Sequence, residues 1–295
     1  MSSSVSSPPP PPAMSGLARV LAFIRFSHTV FALPFALGSM FIAAKGIPEW
    51  RIFGLILLCM VSARTSAMAF NRLVDWKIDK RNPRTAGRHR LLSFPAAVAL
   101  CVTSGVFFLV GAALINSLCF ALSPIALFII YFYSLTKRFT SLCHLFLGLA
   151  LAVSPVGAWI AVTGQFAWPP LVLAAGVMLW VAGFDLIYAT QDYEVDRAEG
   201  LHSLVVKLGI PGALRAAQGL HAGMFLFFVL FGVVAQLGII YFSALGLILG
   251  ALVYEHRVAR RLDLEAINQA FFTSNAFVGA VFLVAAFFEG LRAAS

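Results

Sequence analysis

The stretch FPAAVALCVTSGVFFLVGAALI, running from Phe94 to Ile115, contains no charged residue over 22 positions. A helix rises 1.5 Å per residue, so about 20 apolar residues cross the roughly 30 Å of hydrocarbon in a bilayer. Read outward from this block, the chain repeats the pattern: nine spans are expected at 18–44, 51–72, 94–115, 117–136, 141–163, 168–190, 213–236, 238–255 and 266–289. Composition agrees. Of 295 residues, 61% are hydrophobic and only 11% charged, with a mean hydropathy of +0.92, against about a quarter charged in an average soluble domain. The expected fold is all-α, a multi-pass membrane protein in one domain, 17–295. It is preceded by a tail, 1–16, whose proline run Pro8 to Pro12 between serines builds no core and reads as disordered.

The net charge of +9 is not a nucleic-acid footprint, because its distribution follows the loops. Of 21 Lys and Arg, only Lys45, Arg51 and Arg292 fall on one side of the nine-span arrangement. Lysine and arginine are retained on the cytoplasmic side. This places the N-terminus and the even loops in the cytoplasm, with the protein in a bacterial inner (plasma) membrane. Cys59, Cys101, Cys119 and Cys143 are scattered without C-x-x-C spacing and read as packing residues.

The chemistry lies where two spans enter cytoplasmic loops. The first segment reads Asn71-Arg-Leu-Val-Asp75-Trp-Lys77-Ile-Asp79, and helical spacing of four stacks Asn71, Asp75 and Asp79 on one face. The second reads Asp185-Leu-Ile-Tyr188-Ala-Thr-Gln-Asp192-Tyr-Glu-Val-Asp196-Arg197, with the same interval between Asp192 and Asp196. Like charges about 6 Å apart cost on the order of 3 kcal/mol per pair at an effective dielectric near 20, so four carboxylates call for cations. Magnesium suits them, being held by one or two carboxylates while water and phosphate oxygens complete its octahedron. Asp75, Asp79, Asp192 and Asp196, with Asn71 as a neutral ligand, are therefore the expected Mg2+ set. Lys77, Arg84 and Arg197 stand close by in sequence as donors for a diphosphate. An ion-coupled transporter is the competing class, but it would hold its carboxylates near the bilayer midplane rather than at span ends.

On these two motifs the chain resembles the UbiA superfamily of intramembrane prenyltransferases from about residue 17 to 290. The resemblance implies nine spans around a central cavity capped by cytoplasmic loops. It also implies a Y-x-x-x-K element at Tyr133-Ser-Leu-Thr-Lys137, with Lys137 on the diphosphate and Tyr133 near the reacting carbon. Arg25-Phe-Ser-His28-Thr29, followed by Pro34, is similar to the first-span signature of the 4-hydroxybenzoate and menaquinone-pathway subgroup. One segment departs from the family: after Arg84-Thr85 the chain continues Ala-Gly87-Arg88-His89-Arg90 instead of an Asn-Arg-Pro run.

The implied reaction is transfer of a polyprenyl group from polyprenyl diphosphate to a small aromatic acid, 4-hydroxybenzoate or a dihydroxynaphthoate, in ubiquinone or menaquinone biosynthesis. Other acceptors of the superfamily are homogentisate, haem and glycerol-phosphate lipids. A carboxylated acceptor needs a cation, and Arg25 and Arg64 are the candidates. Arg64 lies seven residues, two helical turns, before Asn71 on the same face. His28, Asp185 and Tyr188 complete the candidate acceptor set. The ring proton leaves to an aspartate of the first cluster or to a diphosphate oxygen. The expected partners are the two substrates and the lipid bilayer, with neither nucleic acid nor a protein partner. Pro34, Pro124 and Pro155 are expected to interrupt their spans.

Overall fold

A computed structural model describes residues 15–25, 31–81, 87, 90–261 and 263–293. Among the described residues the structure is all helical: α1 (Gly16–Phe23), α2 (Leu33–Ala44), α3 (Trp50–Val74), α4 (Trp76–Arg81), α5 (Phe94–Ile115), α6 (Ser117–Thr136), α7 (Cys143–Thr163), α8 (Trp168–Ala189), α9 (Tyr193–Ala198), α10 (Leu204–Val234), α11 (Ile239–Ala259) and α12 (Leu264–Arg292). Eight of these, α3, α5–α8 and α10–α12, are long and apolar enough to cross a membrane.

The first expected span is corrected. It is not one helix over 18–44. α1 ends at Phe23, Arg25 adopts a left-handed φ of 48°, and α2 starts afresh with Pro34 in its first turn. Proline fixes the φ suited to a helix start and lacks an N–H that a first turn leaves unpaired in any case. At twelve residues, α2 is about 18 Å long and too short to span alone. It is instead enclosed by protein: Phe35, Ala36 and Met40 are fully buried against α7 and α12, and Ser39 Oγ donates to the Pro155 carbonyl at 2.7 Å.

The seventh span is longer than expected. Ser203 caps it, its Oγ accepting from the Val206 N–H at 3.1 Å, so α10 begins at Leu204 rather than 213. It bends at Gly209, where φ is 69°, a conformation glycine adopts without steric cost and one that accommodates the following Pro211.

Pro124 and Pro155 do not interrupt α6 and α7, which run through both. Each proline frees the carbonyl four residues before it, and the preceding serine satisfies that carbonyl. Ser123 Oγ donates to Phe120 O and Ser154 Oγ to Leu151 O, both at 2.8 Å. In lipid, where no water reaches an orphaned carbonyl, this local repair is what lets the helix continue.

The helices pack as two groups, α3 with α5 and α6, and α8 with α10, joined to α11 and α12. α7 contacts α6 and α8, and α2 lies between α7 and α12. The densest core forms around Phe35, Trp180, Phe228 and Phe282. At Gly148 the α7 backbone approaches α8 so closely that a Cβ would sit 2.2 Å from the Met178 carbonyl oxygen. Outward-facing Val102, Phe107, Phe128 and Leu226 are exposed, as expected of a surface solvated by lipid. At one end of the bundle Arg51 donates to Leu114 O and Arg292 contacts Glu289 and Gln236 O. The two acidic motifs are at the other.

Candidate active site

The first motif lies where α3 ends. Asp75 leaves helical geometry there, with φ −89° and ψ 9°, yet its N–H donates to Asn71 O at 3.0 Å and its carbonyl accepts from the Asp79 N–H at 2.7 Å, so helix-type hydrogen bonds link α3 to Asp75 and Asp75 to α4. Asn71, Asp75 and Asp79 therefore follow one another a turn apart, as the spacing implied. Asp75 is 4% exposed. Its two oxygens meet two cations from the end of α6, Lys137 Nζ at 2.9 Å and Arg138 Nη2 at 2.9 Å. Arg138 is fixed further by donating to Val74 O at 3.1 Å and Ser134 O at 3.0 Å. Asp79 faces Arg72 Nη1 at 3.6 Å. The repulsion expected within this cluster is offset by the protein's own Lys and Arg.

The second motif bridges α8 and α9 through a single 3-10 turn, Thr190–Asp192. Asp192 and Asp196 are half-buried. α9 closes with Gly200 at a φ of 65° and the Leu201 N–H on Asp196 O at 2.9 Å. The next amide, His202 N–H, donates to Lys137 O at 2.8 Å. Lys137 thus joins the motifs: its ammonium holds Asp75, and its carbonyl anchors the loop that leaves Asp196.

Deeper in α8, Asp185 Oδ2 accepts from His144 Nδ1 at 2.7 Å, and the Tyr188 ring lies 4.7 Å from that of Phe271.

A cavity of about 410 Å3 runs between α3, α6 and α7. Its wall is apolar and rich in small residues, including Ala63, Ala126, Ala158 and Gly157, and among the described residues that line it Arg64 alone is charged. Tyr133, one turn before Lys137, lines it too. The Arg64 guanidinium is within electrostatic reach of Tyr133, Arg72 and Arg25, and its Nε is buried without a hydrogen-bond partner among the described residues. The volume falls in the range of small-molecule sites, about 300–1,000 Å3.

The remaining candidates are less closely gathered. Lys77 and Arg197 are exposed, and Asn71 is half-buried. Lys80 lies over the Trp76 ring at 5.9 Å. His28 and Arg84 lie outside the described residues. Arg72, Arg138 and His144 were missed by the sequence reading. Arg72 carried a signal, standing seven residues and two turns before Asp79. The partners of Arg138 and His144 are 63 and 41 residues away, and local spacing carries no trace of them.

Among the described residues no three His, Cys, Asp or Glu side chains gather into a metal cage. The donor chemistry nevertheless fits magnesium. Carboxylates are hard oxygen ligands, each Asp75 oxygen engaged once by a cation retains a second lone pair, and magnesium commonly takes one or two carboxylates and draws its other ligands from phosphate and water.

The family model described as the UbiA prenyltransferase family matches residues 32–281. The 4-hydroxybenzoate octaprenyltransferase of Nitrosospira multiformis is 30% identical over 267 residues, covering 88% of this chain and 90% of the relative. That of Vibrio atlanticus is 31% identical over 257 residues, covering 85% and 89%. Among solved structures, a UbiA homolog from Aeropyrum pernix K1 superposes with a TM-score of 0.80 at 30% identity, covering 88% of this chain and 96% of that one. A UbiA homolog from Archaeoglobus fulgidus bound to DMAPP and Mg2+ shares the fold, with a TM-score of 0.71 at 22% identity over 93% and 99% of the two chains. With these relatives and a family match that takes in both acidic motifs, the chain belongs to the UbiA prenyltransferase family.

Proposed function

We propose that this protein transfers a polyprenyl group from polyprenyl diphosphate to the ring of a hydroxyaromatic acid in quinone biosynthesis, with 4-hydroxybenzoate as the favoured acceptor and dihydroxynaphthoate as the alternative. The observation that carries this reading is the meeting of three elements at the end of α6: Asp75 held by Lys137 and Arg138, the Asp196 loop anchored on Lys137, and the apolar cavity lined by Tyr133 and Arg64. The names of the bacterial relatives support the acceptor.

In this reading Asp75, Asp79, Asp192 and Asp196, with Asn71, hold Mg2+. When bound, the metal supplies positive charge against the diphosphate as it departs. Lys137 and Arg138 stand as donors for the phosphate oxygens, with the exposed Lys77 and Arg197, and Arg84, as further donors. Tyr133 faces the allylic carbon, where its electron-rich ring stabilises developing cationic charge. Arg64 and Arg25 take the acceptor's carboxylate, and the prenyl tail occupies the apolar cavity. The site faces the cytoplasm of a bacterial inner membrane, the tail 1–16 precedes the membrane domain 17–295, and no protein partner is required.

The test is product formation by purified protein in detergent with polyprenyl diphosphate and each acid in turn, with magnesium or with chelator. Prenylated acid that appears with magnesium and disappears with chelator is the expected result. Absence of product from both acids overturns the acceptor assignment, and product unaffected by chelator overturns the metal.

Gly157 supplies a test of the cavity. It lines the space, and a Cβ added there meets no heavy atom within 4 Å. Gly157→Phe is therefore expected to fold normally and to obstruct a long tail. Turnover with an octaprenyl donor should fall about tenfold, equivalent to 1.4 kcal/mol of overpacking, relative to a geranyl donor. A donor-length series compared with wild type reads this out, and an unchanged series places the tail elsewhere.

A further inference from the structure

The proposed reaction leaves a proton to be removed. A C–O bond to diphosphate breaks, the departing diphosphate keeps the electron pair, a ring carbon bonds to the allylic carbon, and the proton on that ring carbon must be taken by a base. We infer that Asp185 is this base and that His144 is the residue that positions it, an assignment that rests on the function proposed above.

Three observations converge on the pair. The first is geometry. His144 Nδ1 lies 2.7 Å from Asp185 Oδ2. A carboxylate oxygen only accepts, so Nδ1 carries the hydrogen. The imidazole side chain is 4% exposed, whereas the Asp185 side chain is 28% exposed. One carboxylate oxygen is thus pinned by a buried ring while the side chain that bears the other reaches open space.

The second is position. Asp185 lies near the end of α8, seven residues before Asp192 in the 3-10 turn that follows. On α3, Arg64 stands seven residues, two turns, before Asn71. Both α7, which carries His144, and α8 contribute to the wall of the cavity that Arg64 lines. The pair is also tied to the diphosphate end of the site. Cys143, next to His144, donates its thiol to His202 O at 3.6 Å, and the His202 N–H donates to Lys137 O at 2.8 Å.

The third is the state of the first acidic cluster. Both Asp75 oxygens are occupied by Lys137 and Arg138, and Asp79 faces Arg72. Those carboxylates are committed to cations at the diphosphate end. Among the described residues no guanidinium or ammonium pairs with Asp185, which His144 Nδ1 holds as a hydrogen-bond donor. The proton taken by Asp185 passes from its exposed side to water at the mouth of the site, and the carboxylate is restored.

The experiment compares wild type with Asp185→Asn, His144→Phe and His144→Asn in the detergent assay, using acceptor protonated or deuterated at the ring carbon that is alkylated. Asp185→Asn should lower kcat about 100-fold, the low end of general base contributions, with KM for polyprenyl diphosphate unchanged. It should also show a primary deuterium isotope effect that wild type lacks, because proton removal becomes slow. His144→Phe should show the same isotope effect with a smaller loss. His144→Asn, which keeps an N–H near the Nδ1 position, should largely restore the rate. A loss of kcat without an isotope effect marks a structural role and overturns the assignment, as does a wild-type rate in Asp185→Asn. Should Asp185→Asn fail to bind polyprenyl diphosphate, the contrast between His144→Phe and His144→Asn decides by the same isotope effect. Failure of wild type to prenylate any hydroxyaromatic acid overturns the underlying function, and this inference with it.

Discussion

Asp75→Asn is expected to lower prenyl transfer about 1,000-fold, some 4 kcal/mol of transition-state stabilisation, while leaving the protein folded. The two effects separate because of where the charges are. Asparagine matches aspartate in volume, so the buried space at the α3–α4 junction stays filled. It no longer neutralises Lys137 and Arg138, each 2.9 Å away. Breaking a fully buried ion pair costs about 3–5 kcal/mol. Here the Lys137 and Arg138 side chains are about one-third exposed, at 32% and 33%, so both cations relax toward water and the stability loss falls to about 1 kcal/mol. Catalysis has no such relief, because the proposed site needs a carboxylate at this point both to share the metal and to hold Lys137 ready for the diphosphate. Initial rates and thermal unfolding in the same detergent give the two numbers. A rate within tenfold of wild type would remove Asp75 from the diphosphate site.

The part of the site visible in the sequence is the part built by local spacing. Asn71, Asp75 and Asp79 were legible because helical hydrogen bonds continue from α3 into α4, so an interval of four in the chain remains one turn in space. The long spans were legible for the same reason, since a bilayer fixes the length of an apolar run. The break before α2 was hidden because its polar residues, Arg25, Ser27, His28 and Thr29, alternate with Phe26, Val30 and Phe31 and read as a motif within one span. Pro34 also marks it, but proline occurs inside intact helices here too, at Pro124 and Pro155, where a preceding serine repairs the ladder. The contacts that arm the site were not legible at all. Arg138 with Asp75 and His144 with Asp185 are made by helices meeting side by side, and which residues meet depends on how α6 and α7 settle against their neighbours.

Arg64→Met is expected to act in opposite directions on stability and on function. A lone cation within a spanning helix costs about 3 kcal/mol. Arg64 incurs that cost beside Arg25 and Arg72, with a buried Nε that has no hydrogen-bond partner among the described residues. Methionine has similar length and reach but no charge, so the variant should unfold at a higher temperature than wild type in the absence of substrate. Function should move the other way. If Arg64 receives the acceptor's carboxylate, as proposed, the variant loses charge-assisted hydrogen bonds worth about 1.5–3 kcal/mol, and KM for 4-hydroxybenzoate should rise about 10- to 100-fold. KM for polyprenyl diphosphate should not change, because the cations facing Asp75 and Asp79 are untouched. A residue retained only for packing would show neither the gain in stability nor the selective rise in KM. An Arg64→Met protein with both KM values unchanged would place the carboxylate on another residue, with Arg25 the next to test. A rise in KM for the diphosphate alone would move Arg64 to the donor side of the site.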